Sequence, residues 1–388
     1  MIRLGQNKDC CGCEGCAQRC PVGCIAMQPD AEGFLYPQID RRICINCGMC
    51  EKICPVLNQG SSGLPLKIYA AKNRNEEIRK ASSSGGVFTA LAEAIIEEGG
   101  VVFGAKFSEG WEVVHDYTET KPGLTAFRGS KYVQSRIGRN FEKAEFFLNR
   151  GRKVLFSGTP CQIAGLKLFL RKKYENLLTV DFACHGVPSP FVWQTYLRER
   201  VIRKEIGIEN ISFRDKRLGW QNFSFTVTFS CTETNGSENR ILLSEPFKKN
   251  VFMKGFLANL YLRPSCHACP SKCFKSDSDL TMGDYWGIGR YHAKFDDDRG
   301  ISLVFIHTQA GAELYAKLKI ENKETTFRQA IAANKVLERS VACPVRRVEF
   351  WTGFYKEGII AAERIASNRS SGVFSFMKNI IKRIIDKK

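Results

Sequence analysis

CCGCEGCAQRCP at residues 10–21 and CINCGMCEKICP at residues 44–55 are two copies of one pattern, C-x2-C-x2-C-x3-C-P. In such a run three closely spaced thiolates hold three irons of a [4Fe-4S] cube, and the fourth reaches across to the other cube. Cys10, Cys13, Cys16 and Cys54 are therefore expected to hold one cluster, and Cys44, Cys47, Cys50 and Cys20 the second. A structural zinc needs four ligands in two pairs, whereas each run here has four cysteines and a proline, and the run occurs twice. Cys11 and Cys24 are left over, and Cys11 is expected to be a packed thiol.

The spacing is that of bacterial ferredoxins, so residues 1–58 are expected to form a ferredoxin-like dicluster domain. With 388 residues the chain is too long for that module alone and suits two or three domains. Seventeen cysteines, an odd number concentrated in cluster motifs, fit a reducing compartment. The N-terminus has no apolar stretch before the cluster cysteines and no run reaches the length of a membrane span, so the expected location is the cytoplasm. The net charge is +18, yet residues 1–60 carry six basic and six acidic side chains, so the excess lies in the remainder. Such a surface could attract nucleic acid, acidic membrane or an acidic redox protein. No nucleic-acid module and no basic stripe interleaved with aromatics is present, so nucleic acid is not an expected partner.

NQGSSGLP, residues 58–65, reads as a linker. Beyond it strands alternate with helices: IYAAK, a helix from about 86 to 98, VVFGAKF, a helix from about 141 to 149, KVLFSG, a helix from about 161 to 171, and LLTVDFAC. Alternation of this kind suggests an α/β unit with a largely parallel sheet. From about residue 191 the character shifts to a helix reaching about 204, antiparallel strands such as FSFTVTF, a third cysteine group at Cys266, Cys269 and Cys273, strands near 279–283 and 301–308, and helices to about 366. The final segment, 366–388, is basic and amphipathic, the profile of a peripheral anchor to anionic membrane or of a packed helix.

Two turns stand where α/β sheets bind cofactors, Ser82 to Gly86 before an apolar helix and Ser157 to Cys161 after KVLF. Taken alone, a Ser/Gly turn before a helix is usually an N-cap. Together, SSSGGVFTALAEAI, FRGSKYVQS, VLFSGTPCQIAGLK, DFACHGVPSP and CHACPSK with SDLTMGDYWGIG resemble the family of coenzyme F420 hydrogenase and dehydrogenase beta subunits, from about residue 66 to 350. A ferredoxin unit fused in front also occurs in that family.

The resemblance implies a flavin-binding α/β domain with a mixed sheet at 66–190 and an α+β C-terminal part at 191–365 that carries a third cluster loop. It implies FAD held against Ser83, Ser84, Gly85 and Gly86, the loop of Gly129, Ser130, Lys131, Tyr132, Gln134 and Ser135, and the turn of Gly158 and Thr159. Lys131 would meet its phosphates or ring oxygens; read by itself it would be a solvated surface lysine. A third [4Fe-4S] cluster would draw on Cys161, Cys184, Cys266 and Cys269, with Cys273 as the rival ligand. Cys231 and Cys343 are expected to be core thiols. His185 is either a proton donor to reduced flavin or substrate or a hydrogen-bonding neighbour of the cluster.

The implied activity is an iron–sulfur flavoprotein oxidoreductase that passes electrons between a ferredoxin, flavodoxin or other redox subunit, the clusters and FAD. DYWGIG with CHGVPSP resembles bacterial members linked to surface-polysaccharide gene sets, which points to reduction or oxidation of an organic substrate. The alternatives are a coenzyme F420 dehydrogenase or hydrogenase beta subunit and a non-enzymatic electron-transfer adaptor.

Overall fold

In the computed structural model, residues 7–202, 207–232 and 238–367 are described. The tail expected at 366–388 therefore lies almost wholly outside the described residues. The N-terminal module has two one-turn helices, α1 (Gly15–Gln18) and α2 (Met49–Lys52), and an antiparallel ribbon of β1 (Ile25–Pro29) and β2 (Leu35–Ile39). The two cysteine runs share one backbone path. Gly12 and Glu14 have φ of 70° and 59°, and Asn46 and Gly48, at the same offsets from Cys44, have 53° and 71°.

The larger part begins with β3 (Lys67–Asn73), α3 (Glu76–Ala81), α4 (Val87–Glu97), β4 (Val101–Phe107) and β5 (Val113–Thr118). It continues through α5 (Asn140–Asn149), β6 (Val154–Ser157), α6 (Pro160–Leu170), β7 (Leu177–Phe182) and α7 (Pro190–Tyr196). The helix beginning at α7 runs on as a wider turn through Val201. Next come β8 (Gly207–Asp215), β9 (Ser224–Thr232), β10 (Glu238–Pro246), α8 (Val251–Leu257) and β11 (Leu280–Asp284). The chain then forms β12 (Ser302–Ile306), α9 (Gln309–Ala316), β13 (Ile320–Glu324), α10 (Phe327–Ile331), α11 (Arg347–Glu357) and α12 (Ile360–Ser367).

Eight strands make one mixed sheet in the order β13-β3-β12-β11-β7-β6-β4-β5. Parallel pairing is confined to β11, β7, β6 and β4 at its centre, and every other pair is antiparallel. The sheet is thus mixed, as the resemblance implies, and not largely parallel as strand–helix alternation alone suggests: β5 returns antiparallel to β4, and β12 and β13 enter antiparallel from chain beyond residue 190. The division drawn at 190/191 runs through a shared sheet.

Period-two alternation gives the sheet its two apolar faces. Val102 and Leu155 face α4 and α9, whereas Val101, Phe103, Val154 and Phe156 face α5 and α6. Ile53 of the N-terminal module is buried in the second of these cores. A separate antiparallel sheet of β8 to β10 packs with α7, α8, α11 and α12 around an aromatic core that includes Trp193, Phe213, Phe225 and Phe252.

The module is fastened by polar contacts as well. Gln18 Oε1 accepts from the Phe141 and Glu142 amides (3.1 and 3.3 Å) at the start of α5, and Arg19 pairs with Glu145 at 2.7 Å. Glu14 accepts from the Ile137 and Gly138 amides (2.8 and 3.2 Å).

Candidate redox centres

Cys20 lies with Cys44, Cys47 and Cys50 around one cavity near the surface, which Cys24 also lines. Cys47 is exposed. Cys54, from the second run, does not line that cavity, and it lies close enough to Cys10 and Cys16, as well as to Cys50, for their charges to interact. This cradle is deeper: Cys13, Cys16 and Cys54 are buried, and burial pushes the Cys16 thiol up to about 12. Buried thiols crowded in this way disfavour ionisation unless a cationic core compensates, which is what iron supplies.

A third set converges from distant sequence. Cys161 stands at the start of α6, Cys184 just past β7, and Cys266 and Cys269 on the loop after α8, and all four line one cavity. Gly186, at φ 137°, lets the chain turn there; a Cβ would come within 2.9 Å of Leu262 and 3.3 Å of Cys266. Burial pushes Cys184 up to about 12 and Cys269 to about 11. Cys273 does not line this cavity, and its thiol donates to the Glu338 carbonyl at 3.1 Å. Among the described residues no three His, Cys, Asp or Glu side chains are close enough to bind one metal ion.

Cys11 is buried as a packed thiol would be, but it lines the third cavity and neighbours both Cys13 and Cys161. Cys343 is exposed, which corrects its reading as a core thiol: it follows β13 and α10 in a stretch without regular structure. The Cys231 side chain is outside the described residues. His185 lines the third cavity, and its Nε2 donates to Asn259 Oδ1 at 2.7 Å. Burial lowers its pKa, which favours the neutral ring.

The residues expected around a flavin fall into two groups. In the first, Ser83 Oγ accepts from the Ser130 amide at 2.5 Å, which ties the SSSGG turn to the GSKY loop. Gly129 has φ 82°, and Lys131 folds back to donate to the Arg128 and Gly129 carbonyls (3.0 and 3.2 Å). Desolvation of that ammonium brings it down to about 7. Ser84 Oγ donates to the Ile301 carbonyl, and Gly86 starts α4 at φ 80°. A Cβ on Gly85 would sit 2.4 Å from the Ala71 carbonyl, so this glycine serves the packing of the turn on β3.

The second group lies elsewhere. Gln134 donates to the Cys11 carbonyl at 3.1 Å, and Ser135 Oγ accepts from Gln162 at 3.0 Å. Thr159 Oγ1 is 3.3 Å from Cys161 Sγ, and a Cβ on Gly158 would press on Gln162. These four face the N-terminal module, α6 or the third thiol cradle.

Three family models match the chain. They are the N-terminal region of the coenzyme F420 hydrogenase/dehydrogenase beta subunit over residues 68–139, the C terminus of the same over 151–330, and a 4Fe-4S dicluster domain over 9–58. The chain belongs to the family of coenzyme F420 hydrogenase/dehydrogenase beta subunits. A subunit of the F(420)H(2) dehydrogenase of Methanosarcina mazei is 24% identical over 191 residues, covering 45% of this chain and 52% of that protein. The coenzyme F420-dependent sulfite reductase of Methanocaldococcus jannaschii is 26% identical over 189 residues, covering 46% and 28%. A 7Fe ferredoxin of Hydrogenibacillus schlegelii is 43% identical over 63 residues, covering 16% and 74%. Thus the chain spans about half of the first relative and less of the second. A solved chain of the F420-reducing [NiFe] hydrogenase complex from Methanosarcina barkeri superimposes with a TM-score of 0.48 at 19% identity, covering 80% of this chain and 94% of that one.

As a member of this family with a dicluster domain, the protein carries an iron–sulfur electron-transfer module. No described helix is long and apolar enough to cross a membrane. The structure also adds residues to the candidate flavin site that the motifs did not single out. Lys216 Nζ donates to the Arg79, Ser84 and Arg299 carbonyls (2.7, 2.9 and 2.7 Å), and burial lowers it to about 8. Arg214 donates through Nη1 to Asp284 (2.7 Å) and Tyr132 (3.2 Å), while its buried Nε and Nη2 have no hydrogen-bond partner among the described residues. Asp284 also accepts from Trp220 at 3.0 Å. Nothing in the spacing of FRDKRLGW singles out these cations, because it is long-range folding that brings β8 to the SSSGG turn.

Proposed function

We propose that this protein is a beta subunit that exchanges a hydride with coenzyme F420 and moves the electrons singly through three [4Fe-4S] clusters, with FAD between the two. The supporting observation is the convergence of Cys161, Cys184, Cys266 and Cys269 on one cradle beside the N-terminal module. A flavin accepts two electrons together and releases them one at a time. Ser83, Ser84, Ser130, Lys131 and Tyr132, with Lys216 and Arg214, would hold it. Arg214 and, below about pH 7, Lys131 would suit its pyrophosphate, and the Arg214 Nε and Nη2 groups, without a hydrogen-bond partner among the described residues, are donors that an anion or ring oxygen would satisfy. His185 would stay neutral beside the third cluster, its Nε2–H committed to Asn259.

The matched families and two of the relatives are named for coenzyme F420. That favours this substrate over an organic compound of surface-polysaccharide metabolism. The partner is another redox subunit or a soluble one-electron carrier.

The test uses full-length protein purified without oxygen. Reduced coenzyme F420 should bleach the cluster absorbance, and acid should release FAD. Bleaching by dithionite but not by reduced coenzyme F420 would turn the reading to the organic-substrate reductase. Clusters with no releasable flavin would leave an electron-transfer adaptor.

A further inference from the structure

Helix α6 touches two of the thiol cradles one turn apart. Cys161, its second residue, lines the third cradle, and Gly165 lies under the first. A Cβ on Gly165 would stand 2.9 Å from Cys13 Cβ and 3.0 Å from Cys13 Sγ. Four residues of helix advance about 6 Å, so this glycine seats a ligand of the first cradle within about one turn of a ligand of the third. The Cys11 thiol lies beside both Cys13 and Cys161 and also lines the third cradle.

The joint is rigid. Arg263, 1% exposed, donates to the Cys10 carbonyl (2.7 Å), Gln134 Oε1 (2.9 Å) and the Leu35 carbonyl (2.9 Å). Its own carbonyl accepts from the Cys266 amide at 2.9 Å, so one residue braces both cradles. The second cradle is instead at the surface, flanked by the exposed Ile43 and Ile45.

We propose that the first N-terminal cluster is the internal relay of this protein. Electrons cross between it and the third cluster over the Cys13–Cys11–Cys161 contact, and the surface-facing second cluster exchanges them with the external carrier. The inference rests on the reading of all three cradles as [4Fe-4S] sites. Each step is a single-electron exchange, one cluster oxidised as its neighbour is reduced. No bond forms or breaks.

Iron analysis and electron paramagnetic resonance of the fully reduced holoprotein separate the two levels. Wild type should hold about twelve irons, and its third-cluster signal should be broadened by spin–spin coupling to the first. Cys266→Ser should drop to about eight irons and reduce the broadening of the first-cluster signal to that caused by the second cluster. Gly165→Val should weaken the broadening, because the added side chain presses on Cys13 and shifts the first cradle off α6. About eight irons in wild type would sink the three-cluster reading itself. Twelve irons with a third-cluster signal that shows no coupling, or with a coupling that Gly165→Val leaves unchanged, would sink the relay alone.

Discussion

Glu14 holds a left-handed backbone at the position where the second cysteine run has Gly48. Such a conformation costs an L-residue about 1–2 kcal/mol. Its carboxylate offsets this by binding the Ile137 and Gly138 amides, since hydrogen bonds to charged groups contribute about 1.5–3 kcal/mol each. Glu14→Gly is expected to lower stability in urea by about 2 kcal/mol, and Glu14→Ala by about 1 kcal/mol more because it keeps the strain. A Glu14→Gly protein as stable as wild type would mean the carboxylate contacts contribute nothing. Lys131 gives a second residue-scale prediction: Lys131→Ala should lose flavin while retaining iron. Its ammonium, lowered to about 7, is charged below that pH and neutral above it. Flavin binding by wild type should therefore weaken as pH rises from 6 to 8, and Lys131→Arg should flatten that dependence. A wild-type affinity constant over this range would remove Lys131 from the site. Gly85→Leu is no test of the flavin, because the collision with the Ala71 carbonyl would disturb the sheet first.

At the scale of elements, what could be read from sequence was what local periodicity encodes. α4, β4, α5, β6, α6 and β7 stand where apolar alternation puts them, since each buries a face determined by its own residues. β13 was not legible: IENKE is exposed in four of its five residues and gains its place only by pairing with β3. The antiparallel pairing of β12 with β3 was hidden for a related reason, because register between strands over 200 residues apart depends on packing rather than pattern. One contact holding this edge is the pair of Arg79 on α3 and Asp297, in the loop before β12. Arg79 is 1% exposed and also donates to the Gly300 carbonyl. Burial alone would raise Asp297, but the Arg79 bonds prevail and hold its carboxyl below the usual range. Its contribution is thus present above the ordinary carboxylate pKa and is lost as pH falls through the lower folded value. Asp297→Asn should cost about 2 kcal/mol in urea at pH 7, less than a fully buried pair because the carboxylate is partly exposed. An unchanged midpoint would show that the Gly300 carbonyl suffices for Arg79.

For the whole molecule, the two N-terminal cradles were legible because each run carries its own ligand spacing, and only the exchange of Cys20 and Cys54 needed a rule of cluster geometry. The third cradle has no such spacing. Its thiols come from α6, from the chain after β7 and from the loop after α8, so only family resemblance brought them together before the fold did. The place of Cys11 between two cradles was invisible, because it depends on how the module docks on α6. Cys273 shows the converse, a cysteine at ligand-like spacing that the backbone turns away at φ 58° toward Glu338. Replacement by serine should tell the two kinds apart. Cys269→Ser should lower iron from about twelve to about eight per chain while the two N-terminal clusters keep their signals. Cys273→Ser should leave about twelve, since a hydroxyl can still donate to the Glu338 carbonyl. Loss of one cube from Cys273→Ser together with full iron in Cys269→Ser would exchange the two residues as ligands and require the loop after Ala268 to refold around the cluster.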